Sequence, residues 1–487
     1  MPKSKPSPPA PPQVVAAYRL QTAGRLAEAE AAYRAVLAAE PGQIEALDLL
    51  AQLCRARGDL GEALQLYAAV MKAERGSPEA ASNHGLVLNE LTRPTEALVS
   101  LDRALILRPG HVPALYNRGN ALLALDRFEE ALRSYDRALA LDPNHVGAWY
   151  NRGNALRELR RHDDALESFR RAQALAPDRA DLHVNEALTL LQMGRLREGF
   201  AAYEWRRQGM QSALPGKRWL GEMPVAGKTI LLEAEQGFGD TLQFIRYAPL
   251  LVARGARVAV SMPAPLKPLI GTMENVTALT EGDETPVPDL HCPIMSLPLA
   301  FGTELATIPA NVPYLRASPD RAAHWRARLP ATANRRVGLV WAGSAGFASD
   351  TRRSLPFAKL AAVTAASGVA WVGLQRDVPA GDLAALGQSP DFFNVGPQLG
   401  DFADTAAVIS LLDLVIGVDT AVVHLAGAMA KPVWVMLAAS PDFRWLLDCA
   451  DSPWYPTARL FRQPAPGDWT SVVARVADAL TIFGPAT

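Results

Sequence analysis

The chain has 487 residues, enough for two or three domains rather than one ordinary core. Its 49 Lys and Arg offset 50 Asp and Glu, so there is no general electrostatic basis for binding nucleic acid or an anionic membrane, and recognition must be local. Three scattered cysteines, Cys54, Cys292 and Cys449, form neither a paired framework nor a C-x-x-C metal spacing, and fit a reducing compartment.

Residues 1–12 are a proline-rich tail, expected to be disordered, with charge but no apolar stretch of the kind a signal peptide or anchor needs. The most apolar stretch, near 408–437, is broken by Asp413, Asp419, His424 and Lys431, which argues against a membrane span. A soluble cytoplasmic protein is expected.

Residues 13–208 are an internal repeat. Ala29, Ala63, Ala97, Ala131 and Ala165 follow one another at 34-residue steps, and Tyr33, Tyr67, Leu101, Tyr135, Phe169 and Tyr203 keep the same step. That is the tetratricopeptide (TPR) period, about six helical hairpins whose small alanines let neighbours approach while the larger partners fill the space between helices. Pro41, Pro109, Pro143 and Pro177 close units, with Arg75 replacing the proline in the second. These residues are architecture. Asn83, Asn117, Asn151 and Asn185 also recur at the 34-residue step, on the first helix of each hairpin. An amide both donates to a peptide carbonyl and accepts from a peptide N–H, so such a row suits an extended acceptor chain without demanding its sequence. The row resembles the asparagine ladder of the eukaryotic O-linked N-acetylglucosamine transferase. The sixth unit drifts at Gly199 and at Tyr203-Glu204-Trp205-Arg206-Arg207, as a terminal cap modified to dock on the next domain would. Residues 209–225, rich in Pro and Gly, read as a linker.

The remainder alternates short apolar runs with helical stretches, the pattern of a parallel sheet covered on both faces. A first lobe spans 226–316, with strands at 229–233, 257–261, 276–279 and 289–293. A helical, loop-rich bridge spans 317–334. A second lobe spans 335–487, with strands beginning at 336, 369, 414 and 432. Ligands of such sheets sit beyond the carboxyl ends of the strands. There the first lobe has the loop 236–239, including Gly239, with a helix opening near Asp240 and Thr241. The second lobe has Gly343 and Ser344, then Arg352 and Arg353, then Gln375, then Asp419, Thr420 and His424. A helix opening at Thr420 offers backbone N–H groups to an anion, and arginine suits phosphate oxygens. Trp445, Trp454 and Tyr455 suit packing across the lobes.

The Gly-Asp-Thr at 239–241 and the Asp419-Thr420 stretch with His424 resemble the heptosyltransferase-like glycosyltransferases, over roughly the second half of the chain. The resemblance implies the GT-B fold, two Rossmann-like lobes facing each other. It implies Asp240 as the catalytic base, the second lobe as the nucleotide-sugar side, and an inverting single displacement. No Asp-x-Asp pair occurs in the sequence, so a metal-independent reaction is expected, with no metal site and no cofactor beyond the nucleotide-sugar substrate. The whole, an α superhelical repeat array followed by an α/β GT-B module, resembles bacterial repeat-fused protein O-glycosyltransferases, including those that modify flagellin. That implies transfer to Ser or Thr hydroxyls of a protein held in the repeat groove. A transferase acting on a surface polysaccharide or lipid-linked glycan, and an inactive scaffold, are the alternatives.

Overall fold

The computed structural model describes residues 11–210, 216–332, 334–343, 350–387 and 392–483. They form two compact units, divided after Leu182. Among them, no helix is long and apolar enough to cross a membrane.

The first unit is a stack of helical hairpins: α1 (Pro12–Thr22), α2 (Leu26–Ala39), α3 (Ile44–Arg57), α4 (Leu60–Ala73), α5 (Pro78–Glu90), α6 (Pro94–Leu107), α7 (Val112–Ala124), α8 (Phe128–Leu141), α9 (Val146–Glu158) and α10 (His162–Leu175). The five alanines of the repeat are wholly buried, and Tyr33, Tyr67, Leu101, Tyr135 and Phe169 are at most 2% exposed. A second 34-residue series makes this packing possible. A Cβ on Gly85 would stand 2.5 Å from Leu101, one on Gly153 would stand 2.6 Å from Phe169, and one on Gly119 would meet Tyr135. A third series starts the first helices. Gln43, Ser77, His111 and His145 are their N-caps, each accepting from the backbone N–H three residues on. The histidines do so through Nδ1, at 3.2 and 3.1 Å.

The second unit begins within α11 (Ala180–Gln192), which is followed by α12 (Leu196–Tyr203). This sixth hairpin was expected to close the repeat domain at residue 208 and to dock on the next domain. Its Ala187, Leu191, Leu196, Phe200 and Tyr203 are buried in the core that also packs the first sheet, as docking requires, and the division between the units falls within α11 rather than after 208. The expected linker 209–225 also needs correction. It contains the strand β1 (Lys217–Arg218), and its Trp219 and Val225 are 1% and 3% exposed in that core.

The first sheet comprises β1, β2 (Thr229–Glu233), β3 (Arg257–Ser261), β4 (Val276–Leu279) and β5 (Leu290–Pro293), in the order β1-β5-β2-β3-β4. The second comprises β6 (Arg335–Val340), β7 (Val369–Gly373), β8 (Phe392–Asn394), β9 (Leu414–Val418), β10 (Val433–Leu437) and β11 (Ala458–Arg462), in the order β11-β10-β9-β6-β7-β8. Every pairing is parallel. β9 and β10 are buried at every residue, as strands covered on both faces must be. The helix Pro319–Arg328 bridges the lobes in sequence.

A buried arginine ties the lobes together. Arg246, from the first, donates through Nη1 to the carbonyls of Trp454 at 2.6 Å and Pro309 at 3.2 Å, and through Nη2 to Tyr314 Oη at 3.0 Å. Its guanidinium lies 4.9, 5.3 and 4.7 Å from the ring centres of Tyr314, Trp454 and Tyr455. Trp445, Trp454 and Tyr455 are fully buried, in keeping with the packing role expected of them.

Candidate active site

The loops after the carboxyl ends of β2, β6, β7, β9 and β10 converge on one cavity of about 420 Å³, within the range of small-molecule sites. Both sheets contribute to its wall.

On the first sheet, the chain leaves β2, turns at Gln236 in the left-handed region (φ 61°), and enters α13 (Phe238–Phe244) with Gly237 as N-cap. The helix therefore opens earlier than expected, and Asp240 is its third residue. Its Oδ2 accepts from the Gly237 N–H at 2.7 Å, which settles one of the helix's unpaired donors. Its Oδ1 accepts from Arg444 Nη2 in an ion pair. Arg444 also donates through Nη1 to Asp442 Oδ1, at 2.6 Å. Burial works against the guanidinium's charge, but Asp240 and Asp442 outweigh it and hold the Arg444 pKa above its usual value.

On the second sheet, Asp419 follows β9 and Thr420 is the N-cap of the helix Ala421–Ala428. His424 Nε2 lies 3.5 Å from Asp419 Oδ1, and its Nδ1 is 3.0 Å from Tyr455 Oη. Its ring stacks on Trp445 with centroids 5.1 Å apart. Burial pushes the Asp419 carboxyl upward, but the His424 hydrogen bond and charge, with Trp445 and Arg444, bring it below the ordinary carboxylate range. Thr420 Oγ1 is buried and makes no hydrogen bond among the described residues. The approach of α13 to this helix explains Gly239, where a Cβ would stand 3.0 Å from His424 Cδ2.

Of the residues singled out from the sequence, Gly239, Asp240, Gly343, Arg353, Gln375, Asp419, Thr420 and His424 line the cavity. Gly343 N donates to Ser354 Oγ at 2.9 Å. Gln375 is committed to its own loops: Oε1 accepts from Trp341 N and Ala342 N at 3.2 and 3.0 Å, and Nε2 donates to Asp377 O at 3.1 Å. Thr241 and Arg352 are not brought to the wall, and Thr241 is 1% exposed inside the unit. Ser344 lies outside the described residues.

The asparagines divide between the units. Asn83, Asn117 and Asn151 lie in the first, on α5, α7 and α9, whereas Asn185 lies on the part of α11 that belongs to the second. Two of the amides are engaged within the array. Asn83 hydrogen-bonds the Asp48 carboxyl, whose burial nevertheless keeps its pKa raised. Asn151 Nδ2 donates to Asn120 Oδ1 at 2.8 Å. Asn117 is 5% exposed.

Sequence reasoning missed Arg444, Asp442, Arg376 and the facing rings Phe238 and Phe402, whose centroids lie 5.1 Å apart. The usable signal was positional. Loops after the carboxyl ends of parallel strands border the crevice, so the loop after β10 is as strong a candidate as the one after β9. Among the described residues, no group of three or more His, Cys, Asp or Glu side chains is gathered as a metal site would require.

Comparison with known proteins agrees with this architecture. Residues 20–83, 82–145 and 116–180 match tetratricopeptide repeat families, and residues 332–462 match glycosyltransferase family 9 (heptosyltransferase). Protein FlbA of Caulobacter vibrioides is 30% identical over 326 residues, covering 61% of this chain. The chain spans 54% of that relative's length. Among solved structures, YrrB, a TPR protein with an unusual peptide-binding site, is 25% identical over 36% of this chain and 89% of its own, with a TM-score of 0.32. PilW, a type IV pilus biogenesis factor, is 20% identical over 41% of this chain and 91% of its own, with a TM-score of 0.38. The chain thus carries tetratricopeptide repeats followed by a heptosyltransferase-like, GT-B-like glycosyltransferase domain.

Proposed function

We propose that the protein transfers a sugar from a nucleotide-sugar to Ser or Thr hydroxyls of a protein acceptor recruited by its repeat array. The observation that carries this reading is the placement of Asp240 on one side and Arg353, Asp419 and Thr420 on the other side of a single cavity between two parallel sheets. Asp240 takes the proton of the acceptor hydroxyl as that oxygen attacks the anomeric carbon, and the bond to the nucleotide breaks in the same displacement, inverting the centre. Each Asp240 oxygen already accepts one hydrogen bond, but a carboxylate has about four acceptor positions, so about two remain and one can serve the incoming hydroxyl. The leaving phosphate is met by Arg353 and by the N–H groups that follow Thr420, whose unused hydroxyl faces the same need. In this scheme the charge is handled by protein groups, without a metal and with no cofactor other than the donor. Gly239, Gly343, Gln375 and His424 shape or support the donor side.

The acceptor assignment rests on the repeats, whose surfaces suit extended polypeptides, with Asn83, Asn117, Asn151 and Asn185 as contacts and flagellin as its narrowest form. A transferase for a surface or lipid-linked glycan is a second reading. It is favoured by the engagement of the Asn83 and Asn151 amides within the array, which leaves them less able to hold a peptide.

Asp240→Asn tests the chemistry. Transfer should fall by about 10²- to 10⁴-fold while donor binding persists, and an active variant would exclude Asp240 as the base. Asn117→Ala with Asn151→Ala tests the acceptor: unchanged affinity for protein acceptors would remove the amide row from the binding surface.

A further inference from the structure

Residues 183–207, the greater part of the sixth hairpin and the short turn after it, belong to the same compact unit as both sheets. They touch the loops on both sides of the cavity. On the first side, Tyr203 Oη accepts from Gln236 Nε2 at 2.7 Å, pinning the residue that holds the disfavoured left-handed conformation before Asp240. Arg206 grips the neighbouring Glu235 through Nη2 at 2.6 Å and Nε at 3.1 Å, and Arg207 reaches Glu233 at 3.2 Å. On the second side, Gln192 Nε2 donates to the Pro441 carbonyl at 2.7 Å in a buried contact. Phe200 and Tyr203 pack against Phe443, with ring centres 6.1 and 6.4 Å apart, and Phe443 immediately precedes Arg444.

Shielding the end of a helical stack requires apolar cover with a polar outer face. It does not require directional hydrogen bonds to two loops from different sheets. The first loop leads into α13 and its Asp240, the second into Arg444, and these two side chains pair with each other. We propose that the last repeat hairpin is a positioning element of the transfer site, with Tyr203 and Gln192 setting the Gln236 and Pro441 loops so that Asp240 and Arg444 meet. This rests on reading the cavity as the site of sugar transfer.

The full-length chain tests it with Tyr203→Phe, which keeps the ring against Phe443 and removes the acceptor of Gln236, with Gln192→Met, and with both together. Thermal unfolding, hydrogen exchange over 234–245 and 438–446, and hydrolysis of UDP-N-acetylglucosamine, GDP-mannose, ADP-glucose and CMP-N-acetylneuraminate are measured on each. The expected result is exchange about tenfold faster in 234–245 for Tyr203→Phe and in 438–446 for Gln192→Met, with unfolding unchanged. Hydrolysis of the accepted donor should fall about ten- to a hundredfold in kcat with little change in KM, because misplaced groups lose rate rather than ground-state binding. Unchanged exchange in both segments overturns the proposal, as does faster exchange spread evenly through the unit with a lowered unfolding temperature. If the unaltered protein neither binds nor hydrolyses any of the four donors, the transferase reading fails for this panel, and the exchange pattern alone decides whether the hairpin positions the two loops.

Discussion

Arg444 shows what a single buried side chain does here. It is 8% exposed and neutralises two carboxylates, Asp240 and Asp442, from opposite sides of the cavity. Removing one partner of a buried pair leaves the others uncompensated, so Arg444→Ala should cost about 3–5 kcal/mol in denaturant unfolding. Asp419 offers a test by pH. Its pKa is lowered in the folded protein, so its ionisation stabilises the fold above the unfolded carboxylate pKa of about 4, and that contribution disappears as pH falls through the lower folded value. The difference in unfolding free energy between the natural protein and Asp419→Asn should therefore be largest near neutrality and shrink in acid. A difference that grew on acidification would contradict the direction. Asp240 and Asp419 were legible because each stands at a turn after an apolar run. Arg444 was not, because what makes it matter is a partner 204 residues away in the chain.

Regular elements were the most legible scale, and their irregular members the least. The 34-residue step located the hairpins because every unit repeats the same burial, and the same repetition now gives the glycines a meaning. Gly119 lies against the Tyr135 ring in α8, which is fully buried and donates to Asn120 Oδ1 at 2.9 Å. Gly119→Ala should force that ring aside and cost about 1–3 kcal/mol in the unfolding of the first unit, whereas an alanine at Gly42, with open space around it, should cost less. Scanning calorimetry of the two variants checks it. The asparagine series obeyed the same period, yet its partners are set by how consecutive helices lean on one another, which no spacing reveals. Among the strands, β2 to β5 and β6, β7, β9 and β10 were visible as apolar runs. β1 has two residues, β8 has three, and the edge strand β11 carries Arg459 and Arg462, so none of them reads as a buried strand.

At the scale of the whole molecule, the division of labour predicts separable responses. A nucleotide-sugar that binds the second unit stabilises it by mass action, by about 2.7 kcal/mol at a hundred times its Kd, and so raises that unit's melting temperature while leaving the unfolding of the array unmoved. Two calorimetric transitions with only one shifting would bear this out, and the shift should vanish in a variant carrying Asp419→Ala and Arg353→Ala. The sequence placed the boundary of these units at the Pro- and Gly-rich stretch because composition marks where chains bend. The structure divides them inside α11, where composition is uniform and only packing makes the distinction.

That division says something about inheritance. A recombination event that replaced the repeat array at the compositional seam would carry off Gln192, Phe200 and Tyr203 and strip the second unit of part of its own core. An exchange that left the core of the second unit intact would have to stop after the first five hairpins, and the sixth, though written in the alphabet of the repeats, would have to stay with the two sheets.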